Sequence, residues 1–218
     1  MAKRDPVKTT ILAAKIIPNV TADLARDFNL KSGIKSLGLV TTDCDDVTYT
    51  ALDEATKMAD VEVVYAKSFY AGAANANTKL AGEILGVLGG PNPAEIRSGL
   101  NALKSFIENE AWFVSANDDN SIIYYAHTIS RTGSYLSKIT GIKEGQSLSY
   151  LIAPPLEAVY AIDAALKAAD VTMAAFYAPP TETNFGGALL TGSQSACRAA
   201  CEAFGAAVEF VAENPTSY

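Results

Sequence analysis

The sequence predicts a mixed α/β chain of the α+β kind, made of two tandem copies of one small domain, each a sheet with packed helices. Three observations predict it. The run ALDEATKMADV at 51–61 returns as AIDAALKAADV at 161–171, identical at seven of eleven positions and offset by 110 residues in a chain of 218. Short apolar runs flank both copies at matching places. The last helical stretch of each half carries the same apolar spacing. Self-similarity at a fixed offset sets the domain organisation, so it is read before any motif.

In chain order, each half reads strand, helix, strand, helix, strand, strand, helix. The leading strands are ILAAKIIP at 11–18 and SIIYYAHTIS at 121–130, each followed by a short helical stretch, at 21–28 and 133–139. Next come the apolar runs SLGLV at 36–40 and YLIA at 150–153, each entering the repeated helix. VEVVY at 61–65 and VTMAAFY at 171–177 follow as strands, then EILGVL at 83–88 and GALL at 187–190. Glycine-containing turns lead into the last helices. There Ile96, Leu100, Leu103 and Ile107 repeat the spacing of Cys197, Cys201, Phe204 and Val208. That spacing is one face of a 3.6-residue helix lying on a sheet. The polar run NDDN at 117–120 marks the junction, dividing the chain into residues 1–113 and 114–218.

Composition narrows the function. Each half has a common domain size, and the whole chain can bury a real core. Charged residues make up 19% of the chain, a surface suited to lateral association. A formal charge of −7 argues against nucleic acid or an anionic membrane as partner. No apolar run reaches the length of a membrane span, and the N-terminus has no secretory leader pattern. Cys197 and Cys201, four apart on the apolar helix face, read as packed thiols rather than a metal pair. No zinc spacing, phosphate loop, dinucleotide fingerprint or nucleophile elbow is present. His127 lies in a strand-like run and reads as a packed or edge histidine. The expectation is a protein that is not an enzyme, with no metal site.

Two features carry candidate function. The first is the run DCDD at 43–46, between a strand and a helix start, with Glu83 opening a later strand. Asp45 or Asp46 is a natural helix N-cap. The second copy has Pro154 and Pro155 there and no acid matching Glu83, so capping alone does not require the acids. Carboxylates near the aromatic pair Trp112 and Phe113 would suit a small ammonium ligand. The second feature is a pair of equivalent loops, at 68–78 and 178–187. They either move in concert or serve as ordinary hairpin connections.

A resemblance adds to these readings. The stretch YLIAPPLEAVYAIDAALKAADV at 150–171, running on to GSQSACRAAC at 192–201, resembles the bacterial microcompartment shell (BMC) domain. The strand and proline turn that usually close that domain stand at the front of each copy, as in KIIP at 15–18, which is the circularly permuted tandem form. The runs SLGL at 36–39, DDVTY at 45–49, DEATK at 53–57, VEVVY at 61–65, YAGAA at 70–74, LGGPNPAE at 88–95, SRTGSYL at 130–136, APPLE at 153–157 and LTGSQ at 190–194 are similar to the ethanolamine-utilisation members of that family. The resemblance implies mostly antiparallel sheets and a homotrimer whose six domains form a pseudohexameric tile beside other shell proteins. The location it implies is a microcompartment shell in the cytoplasm. It implies a gated central pore for a metabolite or cofactor, with Phe69, Tyr70, Ala71, Gly72, Glu182 and Phe185 as loop candidates. It also implies small pores that bind ethanolamine through Asp45, Asp46, Glu83 and Phe113, with Thr183 and Asn184 as further candidates. No cofactor is required. The alternatives are a cobalamin-binding or carrier module of the same pathway, or an ethanolamine-processing enzyme.

Overall fold

In the computed structural model, residues 2–69, 80 and 82–217 are described. The chain divides into two compact units, and each is assembled from more than one stretch. The first holds Thr9–Ala111 and Gly133–Leu136. The second holds the residues up to Lys8, Trp112–Thr132, and the chain from Ser137 on. A single cut at 113/114 is the sequence expectation. By contacts, residues 2–8 join the second unit and 133–136 the first.

The first unit follows the expected order. It contains β2 (Ile11–Ile17), α1 (Ala22–Asp27), β3 (Ser36–Thr42), α2 (Asp45–Met58), β4 (Glu62–Ser68), β5 (Ile84–Gly90) and α3 (Pro93–Asn109). Its sheet runs β2-β3-β5-β4, antiparallel at every pairing. Helices α2 and α3 pack on each other and against the sheet. Leu37, Val40, Leu52, Val87, Leu88, Ile96, Leu103 and Ile107 are buried in this unit. Of the predicted α3 face, Leu100 alone is only half-buried. Small residues let the layers close. A Cβ on Gly86 would stand 2.9 Å from a Leu52 methyl, closer than real carbon contacts allow.

The second unit repeats the plan with β7 (Ile123–Ile129), the residues of α4 (Ser134–Thr140) from Ser137 on, β8 (Ser147–Ala153), α5 (Pro155–Ala168), β9 (Val171–Tyr177), β10 (Gly186–Gly192) and α6 (Gln194–Glu213). The order β7-β8-β10-β9 matches β2-β3-β5-β4 strand for strand. Cys197, Cys201, Phe204 and Val208 all lie inside, and both thiols are pushed up by burial, which makes them packing groups. His127 is half-buried and stacks on Tyr125 at 5.5 Å, a packed histidine.

Sequence patterning does not announce two short strands, β1 (Pro6–Val7) and β6 (Phe113–Ser115), which extend this sheet beyond β7. Charge holds β1 in place. Arg4 Nε and Nη2 each donate to Glu209 at 2.9 Å, and Tyr124 Oη donates to the same carboxylate at 3.0 Å. Glu209 sits among α6 core residues. Burial alone would raise its pKa, but these donors and Lys3 hold it below the usual carboxylate range.

In the first unit, Asp53 on α2 is 1% exposed and holds the start of α4. Its two oxygens accept from Gly133 N at 2.7 Å and Leu136 N at 2.8 Å. An Asp53→Ala substitution strands both buried N–H groups. It should lower the unfolding free energy by about 2–4 kcal/mol, from the usual cost of unsatisfied buried donors. Urea denaturation of wild type and variant checks this.

Candidate functional site

The acid cluster forms where β3 hands the chain to α2. Thr42 ends the strand and its hydroxyl bonds Thr48 Oγ1 at 2.6 Å, which fixes the turn. The helix begins at Asp45. Its N-cap is Cys44, which makes no side-chain cap bond. This corrects the expectation that Asp45 or Asp46 is the cap, for both lie inside the first turn. The Asp43 carboxylate instead accepts from Thr10 N at 2.7 Å, tying the turn to the chain before β2.

Asp45 and Asp46 are buried, at 7% and 8% exposure. Glu83, half-buried, precedes β5, with its N–H bonded to Thr42 O at 2.8 Å. Antiparallel pairing of Thr42 with Ile84 therefore brings the helix start and Glu83 to one end of the sheet. Gly82 is needed for that approach, since a Cβ there would fall 1.9 Å from Thr42 O.

The electrostatics are those of crowded, desolvated acids. Burial is the main cause raising the Asp45 pKa, against hydrogen bonds from Ser68 and the Asp46 N–H that lower it. Glu83 is pushed up to about 7, first by burial, then by the charges of Asp45 and Asp43. Among the described residues, no Lys or Arg forms an ion pair with Asp45 or Glu83. A small cation would relieve both effects at once. No group of His, Cys, Asp and Glu side chains among the described residues is arranged to hold a metal ion.

Two groups at this site escaped the sequence reading. Tyr49 Oη and Ser68 Oγ bond at 2.5 Å beside Asp45, and burial pushes the Tyr49 phenol up to about 12. Tyr49 stands four residues after Asp45, so helical spacing could have found it. Ser68 comes from the end of β4, and only the fold reveals it.

The remaining predicted residues come from other segments of the chain. Phe113 belongs to the second unit, where it stacks on Tyr125 at 5.3 Å and meets Phe185 at 5.9 Å. Glu182, Thr183, Asn184 and Phe185 lie on the turn between β9 and β10. Thr181 N donates to Phe185 O at 2.9 Å and Asn184 N to Thr181 O at 3.1 Å, so this connection is a closed turn. Asn184 takes the left-handed conformation, φ +66°, which asparagine tolerates. Phe69 follows β4 and its N–H donates to Glu83 O at 2.9 Å. Tyr70, Ala71 and Gly72 lie outside the described residues.

A duplicated, antiparallel α+β unit with this strand order and a front-loaded strand defines a tandem shell-domain protein. The BMC domain model matches residues 36–117, beginning at the first residue of β3, so β2 and α1 stand ahead of the matched span. The bacterial microcompartment shell protein EutL of Clostridium perfringens is 65% identical over 99% of this chain and 100% of its own. That of Escherichia coli K12 is 55% identical over 99% and 98%. The crystal structure of the ethanolamine utilization protein EutL of Leptotrichia buccalis superposes with a TM-score of 0.96 at 67% identity, covering 99% of this chain and all of that one. This chain belongs to the EutL family of bacterial microcompartment shell proteins. It is a structural shell component rather than an enzyme. Among the described residues no helix is long and apolar enough to cross a membrane.

Glu83 also gives the fold a pH signature. Its folded pKa is raised, so its contribution is fully present below about 4.5, the ordinary value, and is lost as pH rises through about 7. Glu83→Gln should flatten that decline between pH 4.5 and 7.5. Thermal melts across the range, wild type against variant, check it.

Proposed function

We propose that three copies of this chain close into a pseudohexameric tile of the ethanolamine-utilisation shell, located in the cytoplasm. In each copy the acid cluster of the first unit binds ethanolamine as its ammonium. One observation carries the binding reading: Asp45 and Glu83, desolvated carboxylates with raised pKa values, stand at one end of the sheet with no described Lys or Arg paired to either. Ethanolammonium offers one positive charge and a hydroxyl, small enough for a site built from two aspartates, a glutamate and the Tyr49–Ser68 pair. The names of the relatives in ethanolamine utilisation support the choice of amine.

The central pore of the tile is lined by the connection carrying Glu182 and Phe185, with Phe69 as a further lining residue. Ethanolamine binding favours the closed arrangement of that connection. A ligand can do this only to the extent that it binds the two arrangements unequally. Thr183 and Asn184 sit on the same connection, between β9 and β10, and are further candidates for the ligand. A cobalamin-type cofactor is the competing occupant of the central pore.

Binding a cation draws the proton from Glu83, so affinity should rise as pH goes from about 5 through 7 and then level. Calorimetric titration of ethanolamine in two buffers of unlike ionisation enthalpy reads both the affinity and the released proton. Glu83→Gln should weaken binding roughly tenfold to a hundredfold, the worth of one charge-assisted hydrogen bond, about 1.5–3 kcal/mol. It should also abolish proton release. Affinity independent of pH and unchanged in the variant would refute the site.

A further inference from the structure

The acid cluster has no counterpart in the second unit, and neither do the hydroxyl groups beside it. In the first unit a short hydroxyl relay ends on Asp45. Ser68 hydrogen-bonds the Asp45 carboxylate, and Tyr49 Oη bonds Ser68 Oγ at 2.5 Å. A carboxylate has no proton to give, so Ser68 donates its own to Asp45. The Ser68 oxygen is then left to accept, and the Tyr49 hydroxyl is its donor. The order of protons along Tyr49, Ser68 and Asp45 is therefore fixed whenever Asp45 is charged.

Two elements hold this relay. Asp45 and Tyr49 lie one turn apart on α2, and Ser68 ends β4. Ser68 is buried, and Tyr49 is half-buried with its ring stacked on Tyr135 at 6.3 Å. Packing on Tyr135 accounts for the ring of Tyr49. It accounts neither for the hydroxyl nor for Ser68.

The second copy lacks all three members together. The repeat places Pro155, Val159 and Ala178 at the positions of Asp45, Tyr49 and Ser68. Sheet register supports the last match, since pairing skips Val64 in β4 and Ala174 in β9, the same point of each strand. None of the three replacements carries a side-chain hydrogen-bonding group.

We propose that Tyr49 is a positioning residue of the cation site: its hydroxyl fixes the Ser68 donor, and Ser68 orients the Asp45 carboxylate and keeps it charged for an incoming ammonium. The inference rests on the cation site proposed above and assigns the groups that orient it. The titratable groups around Asp45 include Asp46 and Tyr49 on α2, Asp43 and Cys44 in the turn before it, and Glu83 before β5. Burial works against the charge on Asp45, and the Ser68 bond is the largest of the hydrogen bonds opposing that effect. A donor that is itself hydrogen-bonded is polarised and held in direction, which is what Tyr49 adds.

The test uses the full chain. Tyr49→Phe keeps the ring and its stacking and removes only the hydroxyl. Calorimetric titration with ethanolamine should show affinity reduced about threefold to tenfold, the worth of one neutral hydrogen bond. Ser68→Ala removes the donor itself and should weaken binding about tenfold to a hundredfold. The double variant should bind as Ser68→Ala does, because Tyr49 acts only through Ser68. Losses that multiply, or an unchanged affinity in Tyr49→Phe, would overturn the relay. Carbon-13 carboxyl NMR of the ligand-free protein reads the same role without ethanolamine. There Asp45 should titrate at higher pH in Tyr49→Phe than in wild type, and an unmoved midpoint would overturn the assignment. A wild type that binds no ethanolamine would sink the binding reading, and the NMR midpoint would then decide the role of Tyr49 by itself.

Discussion

Close packing of two helices on one antiparallel sheet is the constraint on which the rest of this chain depends. In each unit the repeated helix and the last helix must both reach the strands, and small residues at positions such as Gly86 make room. The repeat survives where this packing demands it. Ala51, Ala55, Ala161 and Ala165 are wholly buried and identical between copies. The helix starts carry no such demand, and there the copies part: Asp45 and Asp46 in one, Pro155 and Leu156 in the other.

That freedom is where the proposed cation site lies. A helix N-terminus tolerates carboxylates, because its free N–H groups and positive dipole end favour negative charge. Tolerance does not account for two buried aspartates beside a glutamate whose pKa is pushed up to about 7. The first copy accepts a local electrostatic strain that the second avoids, with Pro155 starting α5 where Asp45 starts α2 and Phe185 preceding β10 where Glu83 precedes β5. In the proposed function, a cation that enters would convert the strain into affinity and couple binding to the proton on Glu83.

Much of the fold was legible in the sequence because it is governed by periodicity. The apolar spacing of Cys197, Cys201, Phe204 and Val208 is enough to place α6 on its sheet, and the seven-element order follows from the repeat. The short strands β1 and β6 were not legible. They are two and three residues long, too short for alternation to show, and an ion pair between Arg4 and Glu209, over two hundred residues apart, holds the first. The site was half legible. Asp45, Asp46 and Glu83 stand out by their absence from the second copy. Ser68 and Gly82 matter through sheet register, and the true cap, Cys44, offers no capping oxygen for a sequence rule to find. The exchange of 133–136 into the first unit is equally invisible along the chain, since it depends on Asp53 gripping backbone N–H groups eighty residues away.

The central claim is that the two copies share a scaffold and divide the labour, with one cation site per chain. A crystal structure of the assembled protein soaked with ethanolamine tests it most directly. The account predicts one ligand in each chain, its ammonium against Asp45, Asp46 and Glu83, and none at the equivalent end of the second sheet near Pro155 and Phe185. Ligand at both ends, or at neither, would contradict it.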